Sequence, residues 1–258
     1  MNRNIHCLSL LILTEDGASD SHGTITAVVK KMLRIVDRST QTHRIEFEPQ
    51  GDNAKLAMVA NHWKSRNPRD LRKIVDLRRS IATKLVEGGD DVPGFVIFHF
   101  DGDRTWGSRD KSENIERFAE FASGIRLLVE KHLSDRDVLD ELENKMLRLR
   151  PLIPFYSIEA WLYQNVNQAV LLCNANCGQH IQQIRSWAID RSQLDEVDKP
   201  KSSSFCCLGP DHNLQLAENV FPAREVHTVG KSFTAAVDSL AESGDLIAAL
   251  KRTHDTTF

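Results

Sequence analysis

The sequence lacks several features that would define a protein class at once. Only 5 of its 258 residues are cysteine, an odd number in a long chain, which argues against a disulfide-rich secreted scaffold. No apolar run approaches the roughly 20 residues of a membrane-spanning helix, and neither charge dominates, because 33 Lys and Arg stand against 36 Asp and Glu. We therefore expect a cytoplasmic protein without membrane association, which could bind nucleic acid only through a local basic patch or a metal.

The residues that are present predict alternating strands and helices. Hydrophobic residues make up 41% and charged residues 27%, as in globular proteins. The runs 5–13 and 95–100 are apolar and end in Gly and Asp, as do strands buried on both faces of a parallel sheet. Apolar periodicity predicts helices over 22–36, 71–85 and 114–132, and weaker strands are predicted over 43–47 and 149–155.

This alternation predicts an α/β fold with an open, mainly parallel, Rossmann-like sheet flanked by helices. We expect the core over residues 1–165, with a mostly helical insertion at about 53–89, and a C-terminal α/β or helical extension over 166–258. A strand is predicted over 225–229, and Ser157 is expected to cap a helix that begins at Ile158. In such sheets, ligands bind beyond the carboxyl ends of the strands.

Acidic residues follow both clear strands. They are Glu15, Asp16 and Asp20 after the first, and Asp101 and Asp103 after the central one. Side chains two apart on an extended segment point the same way, and Gly102 allows a sharp turn, so Asp101 and Asp103 can face one ion. Carboxylates in such an array suit Mg²⁺ or Mn²⁺. The alternative is that acidic residues merely punctuate strand ends, but the joint pattern favours a metal site.

This pattern resembles the TOPRIM fold of topoisomerases, primases and OLD-type nucleases, and most of all the small TOPRIM-type proteins of phage-defence loci. The shared features are an apolar strand ending in an acid, Gly and Asp, then a helix, and later a strand ending in Asp-x-Asp. The stretch 152–155, followed by Ser157 and residues 158–162, is also similar to those small proteins. The resemblance covers roughly residues 5–165.

The resemblance implies two metal ions that clamp the scissile phosphate. The nuclease pattern Glu-Gly-x-Ser/Thr-Asp aligns without a gap on residues 16–20, with Asp16 in place of Glu, whereas one inserted residue puts the glutamate on Glu15. Either acid could therefore be the family's first glutamate, acting as metal ligand or general base. The implied metal ligands on either alignment are Asp20, Asp101 and Asp103, with Glu159 as a further candidate at a helix start.

A lysine often supports the transition state in the nuclease branch of this family. Lys199, Lys201 and Lys231 are candidates, although no spacing selects among them, and each is otherwise an ordinary surface lysine. The predicted catalytic set is Glu15, Asp101, Asp103 and Lys201.

A basic segment over residues 64–79 is the predicted contact to nucleic acid. Its seven basic and two acidic residues give a local charge of +5 in a chain with net charge −3. Such a stripe can hold a phosphate backbone without sequence preference, and the alternative is a solvated helix face or a partner interface. The predicted nucleic-acid-binding residues are Arg66, Arg69, Arg72, Lys73, Arg78 and Arg79.

Two other patterns fail on spacing. The run Gly230-Lys231-Ser232 resembles the end of a P-loop, but Glu225 stands where the first glycine belongs. The cysteines at 173, 177, 206 and 207, with histidines at 180 and 212, match no standard zinc spacing, so no zinc site is predicted.

The expected function is a Mg²⁺- or Mn²⁺-dependent nuclease, the toxic effector of a phage-defence system. Its expected partners are DNA or RNA and an ATPase of a defence complex, and a homo-oligomer is a further expectation. One alternative is a haloacid-dehalogenase-like phosphatase, because residues 101–105 also fit Asp-x-Asp-x-Thr, with Asp101 as nucleophile and Asp103 as general acid. The other is a non-catalytic TOPRIM-like subunit that binds the ATPase.

Overall fold

Four parallel strands form the sheet on which the rest of the described chain packs. The computed structural model describes residues 6–15, 19–48, 60–87, 91–102, 112–191, 194, 207–229 and 231–254. The strands are β1 (Leu8–Thr14), β2 (Ile45–Glu48), β3 (Gly94–His99) and β4 (Leu149–Leu152), in the order β2-β1-β3-β4. The predicted α/β fold with an open, parallel, Rossmann-like sheet is confirmed. The prolines Pro151 and Pro154 keep β4 short, and β4 lies at a sheet edge, where a strand tolerates proline.

Helices cover both faces of the sheet. The three long helices are α1 (Ser19–Val36), α2 (Leu71–Val86) and α3 (Glu113–Ser134), close to the predicted periodic segments. Shorter helices follow: α4 (Leu142–Met146), α5 (Glu159–Leu162), α6 (Val166–Asn176), α7 (Ile181–Ser186), α8 (Asn213–Glu218), α9 (Ala223–Val229), α10 (Lys231–Ala241) and α11 (Gly244–Arg252). Short 3-10 turns lie at Thr42–Arg44, Pro68–Asp70, Leu139–Glu141 and Pro210–His212. In the described part of the chain, no helix has the length and apolarity needed to cross a membrane.

Strand β1 is buried on both faces, as its unbroken apolar sequence predicts. Leu10 and Ile12 belong to one apolar cluster, which also contains residues of α1, α10 and α11. Leu11 and Leu13 point the other way, into a second cluster formed with α2 and α3. The C-terminal extension therefore packs directly on the first face of the sheet.

An aromatic cluster fills the second face. The Phe98 ring lies 5.7 Å from Trp63, 5.5 Å from Phe118 and 5.7 Å from Phe121, measured between ring centroids. Such tilted and edge-on contacts stabilise the core beyond the burial of their area. Trp63 is anchored in this cluster, and the next residue, Lys64, therefore lies near the sheet edge, where it contacts Glu15.

The predicted strand over 225–229 is wrong, because these residues lie in α9. Val226 and Val229 favour a strand locally, but the buried residues of the segment are Ala223 and Val226, at helical spacing. Pro222 immediately precedes the helix, and its carbonyl oxygen accepts a hydrogen bond from the Val226 N–H. The described part of the C-terminal extension is helical.

Replacing Phe98 with Ala should lower the free energy of unfolding by about 3–5 kcal/mol, because it leaves a cavity among four other aromatic rings. Urea-induced unfolding followed by circular dichroism measures this loss. Leu171→Ala is the control, since Leu171 is 64% exposed and its truncation should change stability by less than about 0.5 kcal/mol. Equal losses in the two variants would contradict the assignment of this core.

Candidate active site

A pocket of about 210 Å³ opens beyond the carboxyl ends of β1 and β3. Five separate segments contribute a carboxylate to its lining: Glu15, Asp20, Asp101, Glu159 and Asp211. The sequence predicted the first four as site residues, whereas Asp211 was missed. Asp211 belongs to the C-terminal extension, so the pocket is built from both parts of the chain.

Glu15 is held at the edge of the sheet by two hydrogen bonds. Its Oε1 accepts from the backbone N–H of Asp101 at 3.2 Å, and its Oε2 accepts from Lys64 Nζ at 3.0 Å. Lys64 also donates to Asn114 Oδ1 at 3.2 Å, and Asn114 donates to the Asp101 carbonyl oxygen at 2.8 Å. Lys64, which was predicted only as part of the basic segment, is thus the cation that pairs with Glu15.

Asp101 joins β3 to the start of α5. Its Oδ1 accepts from the backbone N–H of Ile158 at 3.1 Å and lies 3.6 Å from Nε2 of the buried His99. The expected cap at this helix start is wrong, because Ser157 makes no side-chain cap and its buried hydroxyl has no hydrogen-bond partner in the described part of the chain. Asp101 supplies the acceptor instead, and this fixes Glu159 one residue later.

Glu159 is a deeply buried carboxylate at the floor of the pocket. It is 3% exposed, and its Oε1 accepts from Asn213 Nδ2 at 3.3 Å. Burial, and then the charge of Glu159, raise the pKa of Tyr163. A buried carboxylate requires compensation from donors or a cation, and Asn213 supplies one such donor to Glu159.

Gly102 is required by close packing of the backbone. A Cβ atom there would lie 2.6 Å from the Pro154 carbonyl oxygen and closer still to that of Phe155. The Gly102 N–H donates to Pro154 at 3.1 Å, and its carbonyl accepts from Ser112 Oγ at 2.5 Å. The sequence predicted a sharp turn here, and the structure shows that the close neighbour is the chain after β4.

The described carboxylates do not form a ready-made metal site. Within the described ranges, no three carboxylate or imidazole ligand atoms at this edge lie within 4.8 Å of one another. Lys64 lies against Glu15, so metal binding would require carboxylates to turn. Three predicted site residues, Asp16, Asp103 and Lys201, lie outside the described residues, as does the further candidate Lys199.

The basic segment divides into exposed side chains and one packed side chain. Arg78 lies over the Phe121 ring at 5.2 Å and against Gly124 of α3, and burial lowers the pKa of Arg78.

The exposed side chains of the segment form ion pairs with its two aspartates. Asp70 pairs with Lys73 at 3.3 Å, and Asp76 lies 4.0 Å from Arg72 and 3.6 Å from Arg79. The exposed members of the predicted set are Arg66, Arg69, Arg72, Lys73 and Arg79.

Ser232, in the run that resembles a P-loop end, makes packing contacts. Ser232 Oγ accepts from Trp161 Nε1 at 2.9 Å and from the Phe155 N–H at 3.1 Å. These bonds join α10 to the chain after β4.

Comparisons with protein-family models, with curated proteins and with solved structures find no match to this chain. A functional assignment therefore depends on the geometry of the pocket.

Replacing Gly102 with Ala should destabilise the fold by about 1–3 kcal/mol, because its Cβ meets two backbone carbonyls that cannot turn away. The midpoint and slope of urea unfolding measure the change. Gly244→Ala is the matched control, since nothing lies within 4 Å of a Cβ there. A Gly102→Ala protein as stable as the control would refute this account of the turn.

Proposed function

We propose that this protein is a Mg²⁺- or Mn²⁺-dependent nuclease that hydrolyses phosphodiester bonds at the pocket beyond β1 and β3. The observation that carries the proposal is the convergence of Glu15, Asp20, Asp101 and Glu159 on one pocket. The same four acids are the described metal ligands that the sequence pattern predicts. If these acidic residues only ended strands and formed turns, there would be no reason for the buried Glu159, at a helix start, to lie in the same pocket.

The charge of the pocket supports a cation as its occupant. Five carboxylates line it, and His99 is the one basic residue among its described lining residues. Carboxylate oxygens are the ligands that Mg²⁺ and Mn²⁺ prefer, and these ions also take phosphate oxygens. The buried Thr24 hydroxyl, which is 2% exposed and has no hydrogen-bond partner in the described chain, adds a polar group for a bound ligand or water.

The residues fit a divalent cation by their donor chemistry, and each has a separate task. Asp20, Asp101 and Glu159 would hold the cation, together with Asp103 as a prediction from the sequence. When bound, the cation supplies positive charge that neutralises the phosphate oxygens and favours attack by water. Glu15 is positioned as a further ligand or as the general base, because two donors fix its carboxylate at the strand end.

Lys64 is the lysine that the described geometry favours for transition-state support. Its ammonium lies 3.0 Å from Glu15, and the aromatic cluster holds the adjacent Trp63. An ammonium beside the reacting phosphate would stabilise the charge that develops on it. Lys201 remains the candidate predicted from the sequence, and Lys231 begins α10.

The exposed arginines near Lys64 give the substrate a path to the pocket. Arg66 follows Lys64 by two residues, and Arg69 lies in the turn before α2. A basic surface contacts the phosphate backbone without reading sequence, so DNA and RNA are both candidate substrates. The resemblance to small TOPRIM-type proteins further supports a cytoplasmic role in phage defence, with an ATPase partner and a homo-oligomeric state.

The nuclease proposal predicts metal-dependent cleavage that Asp101→Asn strongly slows. We expect labelled single-stranded and duplex DNA and RNA to be cut in Mg²⁺ or Mn²⁺ but not in chelator. Asp101→Asn and Glu15→Gln should each slow cleavage about 100-fold or more, because each removes charge where the transition state forms. Asparagine still accepts the Ile158 hydrogen bond, so the fold should persist, as circular dichroism can verify.

The control is Glu113→Gln, which removes a carboxylate that is 76% exposed at the start of α3. Full cleavage by this variant is expected. Cleavage that survives Asp101→Asn or chelation would overturn the proposal. A chain that cuts none of these substrates would favour the non-catalytic subunit, and a phosphoryl group trapped on Asp101 would favour the phosphatase.

A second prediction concerns the basic segment. Binding of duplex DNA by the Asp101→Asn protein should weaken with salt, and changing Arg66 and Arg69 to Ala should make the slope of log K against log salt shallower by about 1.8, or about 0.9 per lost phosphate contact. Fluorescence anisotropy over a salt series measures the slope. The paired control changes two exposed residues at the C-terminal end of α3 to Ala, Lys131 in the last turn and Arg136 just after the helix. Equal slopes in the two double variants would place the substrate elsewhere.

A further inference from the structure

Three cysteines that do not line the acidic pocket meet at the C-terminal end of α6. The sulfur atoms of Cys173, Cys177 and Cys207 all lie within 4.8 Å of one another. Cys173 and Cys207 are fully buried free thiols, and Cys177 is disulfide-bonded. In the described ranges this is the one group of at least three potential ligand residues with atoms so close together.

The end of α6 explains how two of the sulfurs come together. Cys173 and Cys177 are four residues apart and therefore share a helix face. The N–H groups of Cys177 and Gly178 both donate to the Cys173 carbonyl, at 2.9 and 2.7 Å, and Gly178 adopts a φ of +67° that ends the helix. The chain then turns back across the cysteine face toward His180.

The third sulfur is brought by contacts from a distant segment. Asn176 Nδ2 donates to the Cys207 carbonyl oxygen at 3.2 Å, which ties residue 207 to the end of α6. Burial, and then the neighbouring Cys173, raise the pKa of the Cys207 thiol, whereas the His180 backbone lowers it. Backbone donors to sulfur are favourable at thiolate sites because they share the negative charge.

We propose that Cys173, Cys177 and Cys207 bind a zinc ion through their thiolates. Zn²⁺ takes thiolate sulfur at about 2.3 Å in a tetrahedral arrangement, which places the sulfurs about 3.8 Å apart. Sulfurs already within 4.8 Å need to move by about 1 Å or less to reach this geometry. The three thiolates leave one tetrahedral position for a further donor.

Zinc binding requires the disulfide of Cys177 to be reduced first. A dithiol reductant, such as the thioredoxin-type dithiols of a reducing cytoplasm, transfers two electrons and two protons to the bond and is itself oxidised to a disulfide. Each of the three ligand thiols then releases one proton as its sulfur binds the ion. The bound form therefore belongs to reducing conditions, and the disulfide form excludes Cys177 as a ligand.

The site would fasten one wall of the acidic pocket. Two residues after Cys207 the chain reaches Gly209, whose N–H donates to His212 Nδ1 at 3.2 Å, and His212 Nε2 lies 3.0 Å from Asn176 Nδ2. The same segment carries Asp211 into the pocket. A metal cross-link between α6 and residue 207 would hold that segment in place, independently of any metal in the pocket.

The test is the metal content of protein purified from zinc-supplemented cells under a dithiol reductant. We expect about one zinc per chain by elemental analysis. Cys173→Ser and Cys207→Ser should each lower this content about tenfold, in line with the loss of a ligand. Cys7→Ser should retain it, because Cys7 is also buried, at 7% exposed, but contacts Arg252 instead.

Cobalt substitution provides a readout that does not depend on the yield of folded variants. Co²⁺ added to the reduced, metal-stripped protein should give thiolate-to-cobalt charge-transfer bands that are lost on oxidation and absent in Cys173→Ser. A chelator should lower the thermal midpoint of the reduced wild type but not of that variant. Folded, reduced wild type with no more zinc than Cys173→Ser, or a full zinc complement in the disulfide form, would overturn the proposal.

The nuclease proposal is tested separately. Asp101→Asn should keep its full zinc content, because Asp101 contacts the start of α5 rather than the cysteines. Loss of zinc in Asp101→Asn would mean that the two sites are one, and would overturn the separate cysteine site.

Discussion

The parallel pairing of β1 with β3 determines where the polar groups of the candidate site lie. Thr14 lies opposite His99 in the register, and the Glu15 N–H continues the pairing by donating to the His99 carbonyl at 3.0 Å. Both strands are buried on both faces, so large charged groups are accommodated where the strands end. Two acidic segments that are far apart in sequence therefore meet at one edge.

Much of this arrangement follows from local sequence. The apolar runs predict β1 and β3, because a strand buried on both faces is apolar throughout. The helical periodicity predicts α1, α2 and α3, because a helix buried on one face repeats its apolar residues every three or four positions. The rule for the carboxyl ends of parallel strands then brings together Glu15 and Asp101. The position of Glu159 could be predicted by the same rule, since it follows the short edge strand β4, which runs parallel to β3.

The parts that sequence reasoning missed depend on contacts between distant segments. Asp211 reaches the pocket because residues 207–213 pack on α6, and no local pattern indicates that path. In the sequence, nothing distinguishes Lys64 from the other six basic residues of its segment. In the structure, the packing of Trp63 places Lys64 beside Glu15. The wrong strand prediction over 225–229 came from a local signal instead. The β-branched residues there favour a strand, whereas Pro222 and the buried Ala223 favour the helix that forms.

The ion pair between Lys64 and Glu15 also connects the two halves of the proposed chemistry. Lys64 belongs to the basic segment and Glu15 to the acidic edge, so substrate contact and metal binding would act on neighbouring groups. Displacing the ammonium from Glu15 would free a carboxylate oxygen for a cation. Under that proposal, occupation of the pocket and the position of the basic segment would be coupled through the Lys64–Glu15 hydrogen bond.

The packing of α10 and α11 against β1 has a consequence for biosynthesis. Leu10, near the start of the chain, shares an apolar cluster with Phe233 and Leu250, near its other end. Such long-range contacts slow folding, and at about 5–20 residues per second the ribosome delivers the second partner on the order of 10 s or more after the first. During that interval, the face of β1 that carries Leu10 lacks its contacts with α10 and α11. Asp211 also follows Glu15 by almost 200 residues, so a nascent chain cannot complete the lining of its pocket before residue 211 has been synthesised.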